Sequence, residues 1–384
     1  MKLNEVGEKY VQSSIIIPQG LQIVMDDLGW FCGLDDRKNG APSRTGMPRY
    51  HVAEDYAAVN ELGHRLNMKI NCAFVIGEWD FDNRLRKIPH LSKYGDGWDN
   101  AAHLDTDELR RCIGVINASE YIDIAIHGLL HGYYMQGTDN HDTSDYYYHM
   151  SGKLVMVPEG EIRARLDEFL GLLRDCGIKK EINTFVPPSF AYRTNELSGI
   201  IADYGIKFNS TIFECADSAE KLDRVIIEDG IITVDRINNL IEWDEATSDP
   251  GSLPETRGIF GCHWPNLLHE DPQRHSEVIE KWVAYFEKCA DAFGVVLSRD
   301  MKFFATQALF EKYAKISENG GEIKIDISQV PRLEACDKSF VISSKMGIAD
   351  IRGGKVELLQ KRKGFLNYLI TPGNDDAIIA FARK

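Results

Sequence analysis

No stretch of this 384-residue sequence approaches the roughly 18 consecutive apolar residues of a membrane span, and its start, "MKLNEVGEKY", has no signal-peptide apolar core. The chain therefore reads as cytoplasmic, unless a leader has been removed, with no membrane partner. Cations are in deficit: 44 Lys and Arg face 59 Asp and Glu, a formal net charge of −15. A phosphate-backbone surface needs clustered Lys and Arg, and the short run "KRK" at 361–363 stands alone, so nucleic acid is excluded as a partner. Paired cysteines are missing as well. Cys32, Cys72, Cys112, Cys176, Cys215, Cys262, Cys289 and Cys336 are scattered with no CxxC spacing, which fits buried thiols in a reducing compartment. Low-complexity tracts and repeat periods are also absent.

What is present is alternation. The strand-like "LQIVM" precedes the helical "HVAEDYAAVNELGHRLN"; then come "INCAFVIG", the helix "DTDELRRCIGVINAS" and "IDIAIHG". Strand after helix after strand means a parallel sheet. The pattern continues through the helix "EGEIRARLDEFLGLLRDCG", the proline-broken strand "INTFVPPS", "IKFNSTIF", "GIITVDRI" and "RGIFGCHW". About seven such units fit an α/β barrel better than an open sheet. After "SENGG" the texture becomes period-two, with a Gly-Gly hairpin in "IADIRGGKVELLQ". The expected organisation is a barrel over residues 1–318 and a small antiparallel β domain over 319–384, which caps the barrel or supports a homo-oligomer.

In a parallel barrel the chemistry sits where strands end. Four apolar runs close on polar residues: Asp26 and Asp27 after "LQIVM", His127 after "IDIAI", the "PPS" turn, and His263 after "GIFGC". His127 and His131 in "HGLLH" are four apart, which is metal-ligand spacing on one face of a turn. A zinc-protease motif needs Glu directly after the first His, and Gly128 stands there, so a carboxylate from another strand must complete the set. Asp26 or Asp27 is the donor. Two His and one carboxylate suit zinc, and also cobalt, nickel, manganese or iron.

These residues resemble the polysaccharide deacetylase family, carbohydrate esterase family four, over roughly residues 15–315. The resemblance implies a distorted (β/α)7 barrel and a metal-dependent deacetylase. "MDDLG" is similar to the family's first motif, which implies Asp26 as general base and Asp27 as metal ligand; "HGLLH" implies His127 and His131 as ligands, with Gly128 in place of the family's loop-bracing Ser or Thr. "GCHWPN" implies His263 as general acid, with Gly261 where an aliphatic residue is usual. "TFVPPSF" carries no base-orienting Arg, leaving Arg193 as a candidate, and implies Ser189 as oxyanion donor, because Pro188 has no N–H. Asp235 and Asp244 are rivals for orienting His263.

The implied substrate is the N-acetyl amide of an amino sugar or glycan. The alternatives are another small-molecule amide, or a glycan-binding barrel without turnover. Trp30, Arg49, Tyr50, Trp79, the run "DYYYHM" and Trp264 are expected to rim the cleft and contact substrate, and the segment Asp80 to His103 to shape it. A glycosidase using the Asp pair is disfavoured, because neighbours in a regular strand point to opposite faces.

Overall fold

The computed structural model describes residues 14–31, 47–139, 141, 144–213, 224–236, 258–319, 322–373 and 376–382. Its central element is an eight-stranded sheet in the order Ile259–His263, Gln22–Leu28, Ile70–Val75, Ile122–Gly128, Thr184–Phe185, Phe208–Thr211, Ile231–Asp235, Val225–Glu228. The first seven run parallel and the last is antiparallel to its neighbour. The mixed α/β class and the parallel run thus agree with the sequence pattern. Among the described residues no pairing joins the two outer strands.

The two faces of this sheet pack on different partners. Ile23 and Met25 join Ile70, Cys72, Ile124 and Phe260 in a core shared with the helices Ala53–Leu66, Thr106–Ala118, Glu159–Asp175 and His275–Phe293. Val24, Ala73, Ala125, Val186, Ile232, Val234 and Ile259 line the other face and pack on Met301, Phe304, Ala305 and Ala308. Those four belong to the helix Met301–Tyr313, which begins at an Asp300 cap accepting from the Phe303 N–H and is buried at every position from Phe303 to Phe310. A helix apolar on all sides must be covered on all sides. Here the sheet covers one side and the carboxy-terminal strands the other, so a helix fills the inner face.

The carboxy-terminal part forms two four-stranded antiparallel sheets. Their strands come from both sides of the expected boundary: Ile15–Ile16 pairs with Phe340–Ser344, and Lys315–Asn319 pairs with Glu322–Asp326. Where Ile15–Ile16 stops, a side chain takes over the pairing. Buried Gln307 donates to the Val341 carbonyl (2.6 Å) and accepts from the Val341 N–H (2.9 Å), while Phe310 stacks on Phe340 at 4.2 Å. Gln307→Ala should leave both Val341 groups unpaired, at about 1–3 kcal/mol each. A lowered urea midpoint with one cooperative transition is the expected result. Two separate transitions would mean that the β part folds independently of the helix. Among the described residues no helix is long and apolar enough to cross a membrane.

Candidate metal centre and its surroundings

Two β-bulges set up the site. Met25 pairs with Cys72 but Leu28 with Phe74, so the first strand carries one extra residue at the Asp26–Asp27 step. Phe74 pairs with Ile126 but Val75 with Gly128, which puts a second extra residue at His127. A bulge re-aims side chains and often lies beside a site. Asp26 continues the inward series of Val24, whereas Asp27 takes the left-handed conformation (φ 65°) and turns toward the histidines. The strict alternation expected to send the two acids apart is therefore broken where they lie.

Asp27 Oδ1 is 3.6 Å from His127 Nε2 and 3.9 Å from His131 Nε2, and the three donor atoms lie within 4.8 Å of one another. The 3.6 and 3.9 Å separations are too long for hydrogen bonds and at or a little above the roughly 3.3–3.6 Å between ligands that metal–donor distances of about 2.0–2.2 Å impose on a tetrahedron. His127 Nδ1 is 2.6 Å from the Val186 carbonyl, which can only accept. In the neutral ring the proton therefore sits on Nδ1 and Nε2 presents its lone pair, as a metal-binding imidazole requires. The donor set fits a divalent ion.

The turn between the two histidines is braced from below. Buried Asp145 accepts from the N–H groups of Leu129 (3.3 Å), Leu130 (3.2 Å) and His131 (2.9 Å). Burial pushes its carboxyl up, while these N–H groups and nearby Arg165 pull the other way. Gly128 has φ 146°, and a Cβ there would lie 2.1 Å from Asp145 Oδ2.

Asp26 is held by a residue the motif comparison does not point to. Arg236 Nη1 lies 2.9 Å from both Asp26 oxygens, with the two side chains 0% and 5% exposed. The guanidinium also lies over the Phe190 ring, 5.0 Å from its centroid, joining the acid to the "PPSF" turn. Ile232 and Val234 face inward, so Arg236 is the next inward position of its strand. That parity, read past the last apolar residue, is the signal that would have found it. Arg193, the candidate for this role, instead faces Glu196 at 3.5 Å. Asp235 accepts from the Phe213 N–H (2.9 Å), and Asp244 lies outside the described residues.

His263 ends its strand opposite Asp26, with its Nε2 3.9 Å from Asp27 Oδ2 and its ring 18% exposed, more open than His127 at 3%. Ser189 and Phe190 both have positive φ (51° and 55°). The N–H groups of Phe190 and Ala191 are used by the Pro187 and Pro188 carbonyls, which leaves Ser189 as the donor the turn can offer.

Most of the expected rim lies inside the protein. Trp264 is fully buried, packed on Tyr56 at 4.7 Å and on His51 at 4.1 Å, with its Nε1 donating to His51 Nε2. Arg49 pairs with Asp55 through both Nη atoms (2.9 and 2.7 Å). Asp55 also receives His51 and His275. Burial would raise its carboxyl, but the bonds from Arg49, His275 and His51 hold it well below the usual carboxylate range. Trp30, Trp79, Tyr146, Tyr147 and Tyr148 are core residues too, whereas Tyr50 is 63% exposed. In the Asp80–His103 segment, Asp80 is buried and accepts from Trp98 Nε1 and the N–H groups of Arg84 and Leu85.

The sequence matches no protein-family model and no curated protein. Among solved structures it is similar to a putative polysaccharide deacetylase from Mycobacterium smegmatis, at 12% identity over 75% of this chain and 89% of that one, with a TM-score of 0.40. It is similar to the family 4 carbohydrate esterase from Streptomyces lividans at 9% identity, over 73% and 91% of the chains, with a TM-score of 0.30. A GH57-type branching enzyme from Pyrococcus horikoshii also matches, at 12% identity over 57% of this chain and 47% of that one, with a TM-score of 0.34.

Proposed function

We propose that this chain is a metal-dependent amide hydrolase that removes the N-acetyl group of an amino sugar or glycan. The observation that carries the reading is the Asp27–His127–His131 donor cluster set between Asp26, clamped by Arg236, and the more open His263. A divalent ion bound there, zinc in first place, would polarise the acyl carbonyl and bring a water's pKa down toward about 7. Asp27, His127 and His131 are its holders. Asp26, fixed by two contacts to Arg236, is oriented to take the proton of the attacking water. The Ser189 N–H is the donor for the developing oxyanion, and His263 delivers a proton to the leaving amine. The sugar part of the reading is supported by the motif resemblance rather than by any side chain touching a sugar.

Acetate release from a panel of N-acetylated amino sugars, their oligomers and non-sugar acetamides, with and without chelator, tests this. Chelator-sensitive release from a sugar is expected. Release only from other amides would move the substrate class, and bound metal with no release from anything would favour a glycan-binding barrel. Elemental analysis should find one divalent ion per chain in the purified protein and little in His131→Ala. Equal content in both would remove the metal site.

A further inference from the structure

We infer that Asp145 is a positioning residue for the metal centre: its carboxylate, seated in the space left by the missing side chain of Gly128, sets the backbone that aims His131. The inference rests on the metal reading above and adds a residue that no ligand motif contains.

The bridge between the two histidines is only Gly128, Leu129 and Leu130, and it starts and ends in unusual conformations, φ 146° at Gly128 and 54° at His131. Such backbone persists only where its surroundings enforce it. The carbonyls of Gly128 and Leu129 accept from the Ile76 and Gly77 N–H groups, whereas the N–H groups of the turn converge on one carboxylate: Oδ1 takes those of Leu129 and Leu130, and Oδ2 takes that of His131 at 2.9 Å. Three converging N–H groups form a concave anion seat, and an acceptor-only group fills it best. The shortest of the three contacts is to the ligand residue itself. His127, by contrast, is fixed independently, by its strand and by the Val186 carbonyl. Asp145 therefore acts on one ligand of the three.

Glycine at 128 belongs to the same device. A Cβ there would lie 2.1 Å from Oδ2 and 2.9 Å from the carboxyl carbon, so a hydroxyl-bearing side chain at 128 and this carboxylate cannot occupy the turn together. The brace is supplied by a residue 14 positions beyond His131.

Asp145→Asn keeps the volume but turns an NH2 toward at least one of the three N–H groups. Zinc affinity, read by competition with a chromophoric chelator, should fall about 10- to 100-fold, the usual effect of losing a residue that orients a ligand. A purely structural role would weaken every background alike. The expected result is that the Asn penalty persists in a His127→Ala background and disappears in His131→Ala, because the residue acts through His131. Equal zinc affinity in wild type and Asp145→Asn, or an equal penalty in both backgrounds, overturns the inference while leaving the metal site standing. Wild type that binds no zinc removes the metal reading, and this inference with it. A measurement without any variant covers the case of a misfolded Asn protein: in metal-free wild type the Leu129, Leu130 and His131 amides should exchange slowly with solvent, and fast exchange at these three amides would show that no brace exists.

Discussion

Asp26→Asn should lower turnover of an acetamido sugar by about 10²- to 10⁴-fold and leave the metal content unchanged, whereas Asp27→Asn should lose the metal itself. The two acids are neighbours in sequence but sit in different chemistry. Asp27 is the carboxylate shared by His127 and His131, at 3.6 and 3.9 Å. Asp26 faces a guanidinium instead, and an amide in its place still offers one oxygen to Arg236 but cannot accept a proton from water. Titrating both purified variants with zinc while measuring acetate release separates the roles. If both variants lose zinc together, or Asp26→Asn keeps its turnover, the assignment is wrong.

Arg236 makes the same argument from the other side. It is fully buried, and two of its nitrogens, Nε and Nη2, find no hydrogen-bond partner among the described residues. A buried ion pair is expensive to desolvate, and an apolar pair of similar volume is often as stable or more so. Arg236→Met should therefore leave Asp26 uncompensated and cost about 3–5 kcal/mol, while the double variant Asp26→Leu with Arg236→Met should recover much of that stability without recovering activity. Denaturation midpoints of the three proteins check the ordering. A double variant no more stable than Arg236→Met alone would contradict it.

How much of this was legible depended on which residues announce themselves. A polar residue closing an apolar run is visible in one dimension, so Asp26, Asp27, His127 and His263 could be read directly, and the spacing to His131 came with them. Arg236 also closes such a run, after "IITVD", but there the adjacent Asp235 is an equally visible polar residue, with its own chemistry as a possible partner of His263. The bulges could not be read, because one extra residue is defined only against the paired strand. The aromatic rim failed for another reason: Trp and Tyr are as much at home in a core as in a cleft, and Trp264, Trp30 and Trp79 went inside. The alternation of strand and helix predicted the parallel sheet, yet not that Met301–Tyr313 would fill its inner face. Its lack of a polar side was the available clue.

His263→Ala should lose about 10²- to 10⁴-fold on an acetamido sugar and keep most activity on an aryl acetate. The reasoning turns on the leaving group. An amine departs from a tetrahedral intermediate only if it is protonated, whereas a phenolate leaves unaided, so a general acid matters for one substrate and hardly for the other. Geometry leaves a rival role open to test: His263 Nε2 lies 3.9 Å from Asp27 Oδ2, the same distance at which His131 Nε2 stands from Oδ1. As a ligand, His263 would take metal with it when removed, and both substrates would suffer. Its greater exposure, 18% against 13% for His131 and 3% for His127, suits a group that must reach the substrate rather than one that encloses an ion. Metal content, acetamide hydrolysis and ester hydrolysis measured on one folded preparation of the variant decide between them. Unchanged metal with selective loss on the amide supports the acid; parallel loss of both activities sinks it.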